Sequence, residues 1–202
     1  MGNDAEQAGW LELRTRNPWP DEPPRDKQDW HGFLDGSTVR MLEETIAAGP
    51  CELIVELGSW CGRSARWFMQ HTEARLVCID HWEGNPGYPG APELKSRLPH
   101  VRDQFLTNLW PWRERVTAVC MPSVAGLWEV AFCGLVPDMV YVDAGHDFAS
   151  VTSDLRTVAG LFPSTRLVGD DWQRPEVRRG VSWFAEPRVL NVVHTTQGWR
   201  LS

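Results

Sequence analysis

The sequence predicts an α/β fold in which a doubly wound, mostly parallel sheet of seven strands ends in an antiparallel hairpin at one edge. Short apolar runs alternate with helical patterns from residue 36 onward, and these runs are apolar throughout, as strands buried on both faces are. The last residues read as two more strands joined by a turn. Strict alternation of strand and helix favours parallel strands with right-handed crossovers.

The first 35 residues differ from the rest of the chain. They contain four prolines, at positions 18, 20, 23 and 24, among charged residues, and they show no sustained period of two or 3.6. This composition predicts an extended arm over residues 1–35, followed by one domain over residues 36–202.

The individual elements follow from hydrophobic periodicity and from glycine and proline stops. A helical pattern that starts at Gly36 is stopped by Gly49-Pro50, and CELIVELG then reads as a buried strand closed by glycine. The predicted central strands are residues 51–58, 74–80, 116–120, 138–143 and 166–171. The predicted helices are residues 36–48, 62–71, 98–109, 124–131, 148–162 and 175–184. Residues 189–202 predict the edge hairpin, with its turn near Gln197-Gly198.

Composition and charge exclude several classes of protein. No apolar run among the 202 residues approaches the length of a membrane span. The chain has 27 acidic and 20 basic residues without a basic cluster, which argues against nucleic acid as a partner. The N-terminus carries acids where an export signal needs bases and an apolar stretch. We expect a soluble, cytoplasmic protein without a nucleic-acid or membrane partner, and a homo-oligomer remains open.

The loop after the first strand has the pattern of a cofactor site. Its sequence is ELGSWCGRS (residues 56–64), with glycines four apart, and Trp60 occupies the position where a dinucleotide loop needs glycine beside the pyrophosphate. S-adenosylmethionine lacks a pyrophosphate, and its carboxylate suits the N–H groups at a helix start. Asp80 ends the second strand, placed for the ribose hydroxyls. The simpler interpretation is a tight turn and a cap, but the combination with Glu56 and Ser64 favours a cofactor.

Three carboxylates follow the fourth and fifth strands. Asp143 lies in VDAGHD, and Asp170 and Asp171 lie in GDDW. Such all-oxygen ligands suit Mg²⁺, with Ca²⁺ or Mn²⁺ as alternatives. Simpler interpretations stay open, because Asp143 or Asp147 can cap the next helix and the aspartate pair can stabilise a turn. Adjacent residues of a strand point to opposite faces, so the pair can share one ion only if the strand has ended.

Taken together, these residues resemble class I S-adenosylmethionine-dependent methyltransferases, which have a Rossmann-like sheet. The form E-x-G-x-x-x-G-x-S is similar to that of metal-dependent small-molecule O-methyltransferases, namely the catechol and caffeoyl-CoA enzymes and the macrocin-type sugar enzymes, over residues 36–202. The resemblance implies methyl transfer from S-adenosylmethionine to a hydroxyl of a small molecule, assisted by Mg²⁺ or another divalent cation at Asp143, Asp170 and Asp171. The implied cofactor-binding residues are Glu56, Gly58, Ser59, Gly62, Ser64, Asp80, His81, Trp82, Ser123 and Asp143.

His146 is the residue that the resemblance implies as the catalytic base. It stands three residues after Asp143, where catechol and caffeoyl-CoA enzymes carry a lysine and macrocin-type enzymes a histidine. The sulfonium methyl is already electrophilic, so the enzyme has to remove a hydroxyl proton, which an imidazole titrating near neutrality can do. The chain departs from the family after the third strand, where CMPS lacks the acid that often binds the adenine amino group. Ser123 is the candidate that remains there.

Two other functions are compatible with the sequence. One is a metal-independent N- or C-methyltransferase whose acids are structural, and the other is a non-catalytic cofactor-binding subunit. The acceptor is not readable from the residues. We expect the arm through Trp30-His31 and the loop of residues 83–99, with aromatic residues that include Trp19 and Tyr88, to cover the acceptor site.

Overall fold

The alternating pattern forms seven strands and eight α-helices in a computed structural model that describes residues 2–84 and 92–202. The strands are β1 (Leu53–Leu57), β2 (Arg75–Asp80), β3 (Val116–Cys120), β4 (Met139–Val142), β5 (Arg166–Gly169), β6 (Val192–His194) and β7 (Trp199–Leu201). The helices are α1 (Gly2–Arg16), α2 (Gly36–Ala47), α3 (Arg63–His71), α4 (Pro92–Arg97), α5 (Val101–Leu109), α6 (Ser123–Phe132), α7 (Phe148–Leu161) and α8 (Pro175–Ala185). Short 3₁₀ helices cover residues 98–100, 110–112 and 186–188. Tyr88, named above for the acceptor site, lies outside the described residues.

The strands form one sheet in the order β3-β2-β1-β4-β5-β7-β6. β1 to β5 are parallel, whereas β7 runs antiparallel to both β5 and β6. The predicted doubly wound sheet with an antiparallel edge hairpin is therefore confirmed. The strand order reverses at β1, between β2 and β4, where open α/β sheets bind their ligands.

Helices cover both faces of the sheet because the central strands bury side chains on both sides. Along β1, Val55 packs into the core under α1, α6, α7 and α8, whereas Ile54 packs into the core under α2, α3 and α5. Every residue of β1 is buried. No helix formed by the described residues combines the length and the hydropathy needed to span a membrane.

The sequence predicted an extended N-terminal arm, but the first part of this arm is a helix. Residues 2–16 form α1, and its side chains Trp10 and Leu13 are buried in the core beside α6. The Arg14 guanidinium donates to the carbonyl oxygens of Arg113 and Glu114, at 2.8 and 2.6 Å. The apolar pattern missed α1 because these tertiary contacts, rather than a long apolar stripe, hold it. The four prolines all follow the helix.

Within the rest of the arm, residues 25–29 lie along α5, and the hydrogen bonds of one buried amide are among those that hold them. Asn108 is fully buried; its Nδ2 donates to the carbonyl oxygens of Asp29 (2.6 Å) and Cys61 (2.8 Å), and its Oδ1 accepts from the N–H of Asp29 at 2.9 Å. These bonds join the arm to the loop after β1. They bring residues 31–35 to the carboxyl ends of the strands.

Candidate active site

The carboxyl ends of the parallel strands border a large cavity. Its volume of about 1510 Å³ exceeds the roughly 300–1,000 Å³ typical of a site for one small ligand, so a cofactor and an acceptor fit together. The predicted site residues that line it are Gly58, Ser59, Ser64, Asp80, His81, Ser123, Asp143, His146, Asp170 and Asp171. Glu56, Gly62 and Trp82 are not among the lining residues.

Close contact between the ends of β1 and β4 shapes the loop after β1. Gly58 has a φ of +83°, and a Cβ there would lie 2.1 Å from the carbonyl oxygen of Asp143. Only glycine fits such a position. Trp60 also has a positive φ, of 47°, and its indole N–H donates to His31 Nδ1 at 3.0 Å. The loop is therefore held in an uncommon conformation by its neighbours, as loops at functional sites often are.

The Asp80 carboxylate fixes the same loop through backbone hydrogen bonds. Its Oδ2 accepts from the N–H groups of Ser59 and Trp60, both at 2.9 Å, and its Oδ1 accepts from the N–H of Trp82 at 2.7 Å. A carboxylate offers about four acceptor positions, so about one is left for a ligand hydroxyl. Asp80 thus positions the loop and keeps capacity to bind from the edge of the cavity.

Trp82 and Gly62 support the wall of the cavity from behind. Trp82 is 5% exposed, and its indole N–H donates to the carbonyl oxygen of Trp60 at 2.9 Å. Its ring centroid lies 5.1 Å from that of Phe105. Gly62 faces the Leu109 side chain, which a Cβ would approach to 2.3 Å. In this arrangement both residues touch the loop that would hold a cofactor, and neither touches the space where the cofactor would lie.

Glu56 is a fully buried acid beneath the loop. The Ser59 hydroxyl donates to its Oε2 at 2.6 Å, while its Oε1 has no hydrogen-bond partner among the described residues. Burial raises the pKa of Glu56 to about 7, although the Ser59 hydrogen bond acts in the opposite direction. Glu56 therefore lies behind the cavity wall and is connected to the cavity through the Ser59 side chain.

The buried Glu56 predicts a contribution to the pH dependence of stability, and Glu56→Gln removes that contribution. The folded state holds the Glu56 proton up to about pH 7, whereas an unfolded glutamate loses it near 4.5. The wild-type free energy of unfolding should thus fall between those values, by about 3 kcal/mol from this group. Urea unfolding should show Glu56→Gln close to wild type at pH 4.5 and more stable at pH 8. Glu52→Gln, which changes an exposed acid, is the control and should keep the wild-type dependence of the unfolding free energy on pH. If Glu56→Gln kept the same dependence, Glu56 would not contribute to it.

Two acids and a histidine meet at the ends of β4 and β5. His146 Nε2 lies 2.6 Å from Asp171 Oδ2 and 3.9 Å from Asp143 Oδ1, and Arg174 Nε lies 2.9 Å from the same Asp171 oxygen. One ligand atom from each of Asp143, His146 and Asp171 falls within 4.8 Å of the others, which is the spacing of a candidate metal centre. These three groups all face the cavity.

Asp170 lines the same cavity but is not part of this group, although β5 ends at Gly169 and both aspartates follow the strand. The Thr38 hydroxyl of α2 donates to Asp170 Oδ1 at 2.7 Å. Asp171 has a φ of +62°, which separates the directions of the two neighbouring side chains. The structure therefore brings His146, and not Asp170, to Asp143 and Asp171.

The charges in this group shift all three pKa values. Burial raises the pKa of Asp143 to about 7, against the hydrogen bond from His146. Burial lowers the pKa of the His146 imidazole, but the hydrogen bonds and charges of Asp143 and Asp171 outweigh it and raise this pKa to about 9. Burial also works against ionised Asp171, yet His146 and Arg174 hold its pKa at about 2. His146 is accordingly an imidazolium at neutral pH, and together with Arg174 it compensates the charge of these acids.

The arm and the chain around α4 border the cavity where the sequence placed the acceptor. His31 and Phe33 line it from the arm, and Phe33 is 80% exposed. Leu94 and Leu98 line it from the other segment. The aromatic rings of His31 and Phe33 lie 5.9 Å apart in an edge-to-face arrangement. This part of the cavity offers flat apolar surface beside polar groups.

The sequence analysis missed several residues that face the cavity, and Arg174, Asp154 and Gln197 are three of them. Asp171 pairs with Arg174 as well as with His146, and the only sequence signal for Arg174 was its place one residue before the proline of α8. Asp154 of α7 is a buried acid that lines the cavity, and its signal was an acid between the apolar positions Val151 and Leu155. Gln197 comes from the turn of the edge hairpin, and its type carries no signal.

Comparisons with known proteins agree with this geometry. A sequence profile described as a methyltransferase domain matches residues 55–172, from β1 through the acids after β5. No curated protein sequence matches the chain.

Several solved structures share the fold. A protein from Klebsiella pneumoniae, provisionally named an O-methyltransferase, is 18% identical with a TM-score of 0.60, over 98% of this chain and 88% of that one. An O-methyltransferase from Bacillus cereus in complex with SAH is 14% identical with a TM-score of 0.53, over 98% and 89%. The TDP-rhamnose 3′-O-methyltransferase CalS11 of calicheamicin biosynthesis is 17% identical with a TM-score of 0.54, over 98% and 93%. Identities this low show the fold alone.

Proposed function

Because the chain belongs to the methyltransferase-domain family, we propose that it transfers a methyl group from S-adenosylmethionine to a hydroxyl of a small molecule, assisted by a divalent metal. The observation that carries the proposal is that residues from β1, β2, β4 and β5 within the matched stretch line one cavity. Structural neighbours named as O-methyltransferases, one of them in complex with SAH, support the same assignment.

S-adenosylmethionine supplies an electrophilic methyl group, so the protein has to position it. The loop of Gly58 and Ser59 presents backbone to the methionine part, and Ser64, near the start of α3, can hold its carboxylate. Asp80 reaches the ribose from the end of β2, and His81 lines the cavity beside it. Fixing the methyl carbon in line with an acceptor oxygen is the main task of this half of the site.

The group of Asp143, His146 and Asp171 fits a divalent cation. Burial, and after it the charges of the neighbouring carboxylates, raises the pKa of Asp143, and a cation at this position would favour its ionised form. The carboxylates of Asp143 and Asp171 are ligands that Mg²⁺, Mn²⁺ or a similar ion accepts, and the imidazole nitrogen of His146 beside them is kept for a proton. A cation bound there would lower the pKa of a coordinated hydroxyl.

His146 is the group placed to take the hydroxyl proton. It accepts a proton only while its imidazole is neutral, and the hydrogen bonds and charges of Asp143 and Asp171 keep it protonated. Neutralising those two carboxylates lowers the pKa of His146 toward its ordinary range, where it works as a base at physiological pH. The charge on Asp143 and Asp171 thus determines whether His146 is protonated or is neutral and able to act as a base.

The acceptor space suits a small, partly flat molecule with hydroxyl groups. His31 and Phe33 supply ring surface, and Gln173 and Gln197 supply amide donors and acceptors on the side of β5. An acceptor with two neighbouring oxygens could present both toward Asp143 and Asp171 through the cation.

Metal-independent methyl transfer is the second candidate. The 2.6 Å contact between Asp171 and His146 resembles the carboxylate–imidazole pairs that orient a base without any metal. In that case Asp171 is a positioning residue, and turnover is insensitive to chelator. Chelation therefore separates the two candidates.

Asp80→Ala should weaken cofactor binding at least about tenfold, because a hydrogen bond to a charged group contributes about 1.5–3 kcal/mol and the loop at Ser59 and Trp60 loses its anchor. Calorimetry with S-adenosylhomocysteine measures this change. The matched control is Glu73→Ala, an exposed acid at the other end of β2 that should leave the affinity unchanged. Unchanged affinity in Asp80→Ala would remove Asp80 from the site, and no binding to the wild type would overturn the proposed function.

A further inference from the structure

One end of the cavity has polar groups that neither the proposed methyl transfer nor the proposed metal site uses. Met121 and Val124 line this end from the segment after β3, and Ala149 and Ser153 line it from the first turns of α7. In the strand order β3-β2-β1, the segment after β3 lies beyond Asp80 of β2, on the side away from β1. This end of the cavity therefore lies outside the group formed by the acids and His146 at β4 and β5.

Asp154 is a buried acid at this end. It is 4% exposed, it belongs to the lining of the cavity, and its carboxylate is hydrogen-bonded to the Ser123 side chain. Burial raises the pKa of Asp154 to about 7, although the Ser123 hydrogen bond acts against that rise. Among the described residues, no positively charged side chain contributes to the pKa of Asp154. A buried carboxylate with one hydroxyl partner has capacity for a further donor from within the cavity.

The proposed cofactor brings such a donor to Asp154. On the proposed function, on which this step rests, the methionine part lies at Gly58 and the ribose at Asp80, so the base extends toward the segment after β3. The apolar side chains of Ile79, Met121 and Val124 suit the faces of a purine ring. The pair of Asp154 and Ser123 then meets the polar edge of the ring.

We infer that Asp154 accepts a hydrogen bond from the 6-amino group of adenine, while the Ser123 hydroxyl keeps its own hydrogen bond to Asp154. The geometry supplies from α7 the acid that the sequence lacks after β3. Binding is measured at a pH well above the Asp154 pKa of about 7, where the group is ionised. An ionised carboxylate accepts hydrogen bonds and cannot donate them. It therefore favours adenine, which has a donor at position 6, over hypoxanthine, which has an oxygen acceptor there.

The test compares two ligands on the full chain. Calorimetry should show that the wild type binds S-adenosylhomocysteine at least about tenfold more tightly than S-inosylhomocysteine, in which oxygen replaces the 6-amino group. In Asp154→Asn this ratio should fall to a few-fold, because an amide can turn either its oxygen or its NH₂ toward position 6. Asp147→Asn is the matched control, since it removes the same charge at the start of the same helix and keeps a good cap. Its ratio should stay that of the wild type.

A purely structural role for Asp154 would lower both affinities by the same factor and leave the ratio unchanged, which would overturn the inference. Equal affinities of the wild type for the two ligands would overturn it as well, and that measurement needs no variant. Tight S-adenosylhomocysteine binding with an unchanged ratio would leave the proposed function intact, whereas absent binding would overturn both.

Discussion

His146→Ala is expected to lower turnover by about 10²- to 10⁴-fold, the range typical of losing a general base, while leaving the affinity for S-adenosylhomocysteine unchanged. The imidazole lies between Asp143 and Asp171 and faces the cavity, so its removal leaves the loop after β1 untouched. Steady-state turnover with a hydroxylated acceptor, together with calorimetry of cofactor binding, measures the two effects separately.

The pH profile distinguishes a base from a structural residue. Wild-type turnover should rise with pH as His146 loses its proton, and this limb should be absent from His146→Ala. Added imidazole should restore part of the lost turnover. The exposed His100 provides the control, because His100→Ala removes the same side chain far from the acids. An unaltered turnover number in His146→Ala, with chemistry rate-limiting, would exclude His146 as the base.

The sequence predicted the central sheet well because apolar burial decides where its strands lie. The predicted strand 116–120 coincides with β3, and the predicted helix 148–162 differs from α7 by one residue at its end. Buried parallel strands are short and apolar on both faces, so their pattern survives without tertiary information. α1 was missed because it buries few large apolar side chains, Trp10 and Leu13 among them, and contacts across the chain, such as that of Arg14 with Glu114, add to its stability.

The sequence predicted which strand ends carry the residues of the candidate site. It predicted less well where the side chains of these residues point. Position after a parallel strand places Asp80 and Asp143 at one edge, as the structure shows. The direction of a side chain depends on partners that are distant in sequence. Thr38, 132 residues from Asp170, decides where that carboxylate points. Asp154 meets Ser123 through the packing of α7 beside α6, which a linear pattern does not encode.

Removing divalent cations is expected to abolish turnover, and adding Mg²⁺ or Mn²⁺ is expected to restore it. Asp143 and Asp171 share one site with His146, and without a cation their charges hold the imidazole protonated, with its pKa near 9. Chelation therefore removes both the hydroxyl-activating ion and the neutral state of the base. Turnover that persists in excess chelator would favour the metal-independent candidate.

Cation binding can be followed without turnover, because a ligand that binds only the folded state raises its thermal stability as its concentration increases. The wild-type Tm should rise with Mn²⁺ concentration, and Asp171→Asn should lose this rise. Asp170→Asn is the informative control, since Thr38 holds Asp170 outside the group of Asp143, His146 and Asp171. It should keep most of the rise. Equal loss in the two variants would instead indicate that Asp143, Asp170 and Asp171 bind the ion together, as the sequence predicted, and that Asp170 turns from Thr38 to the metal.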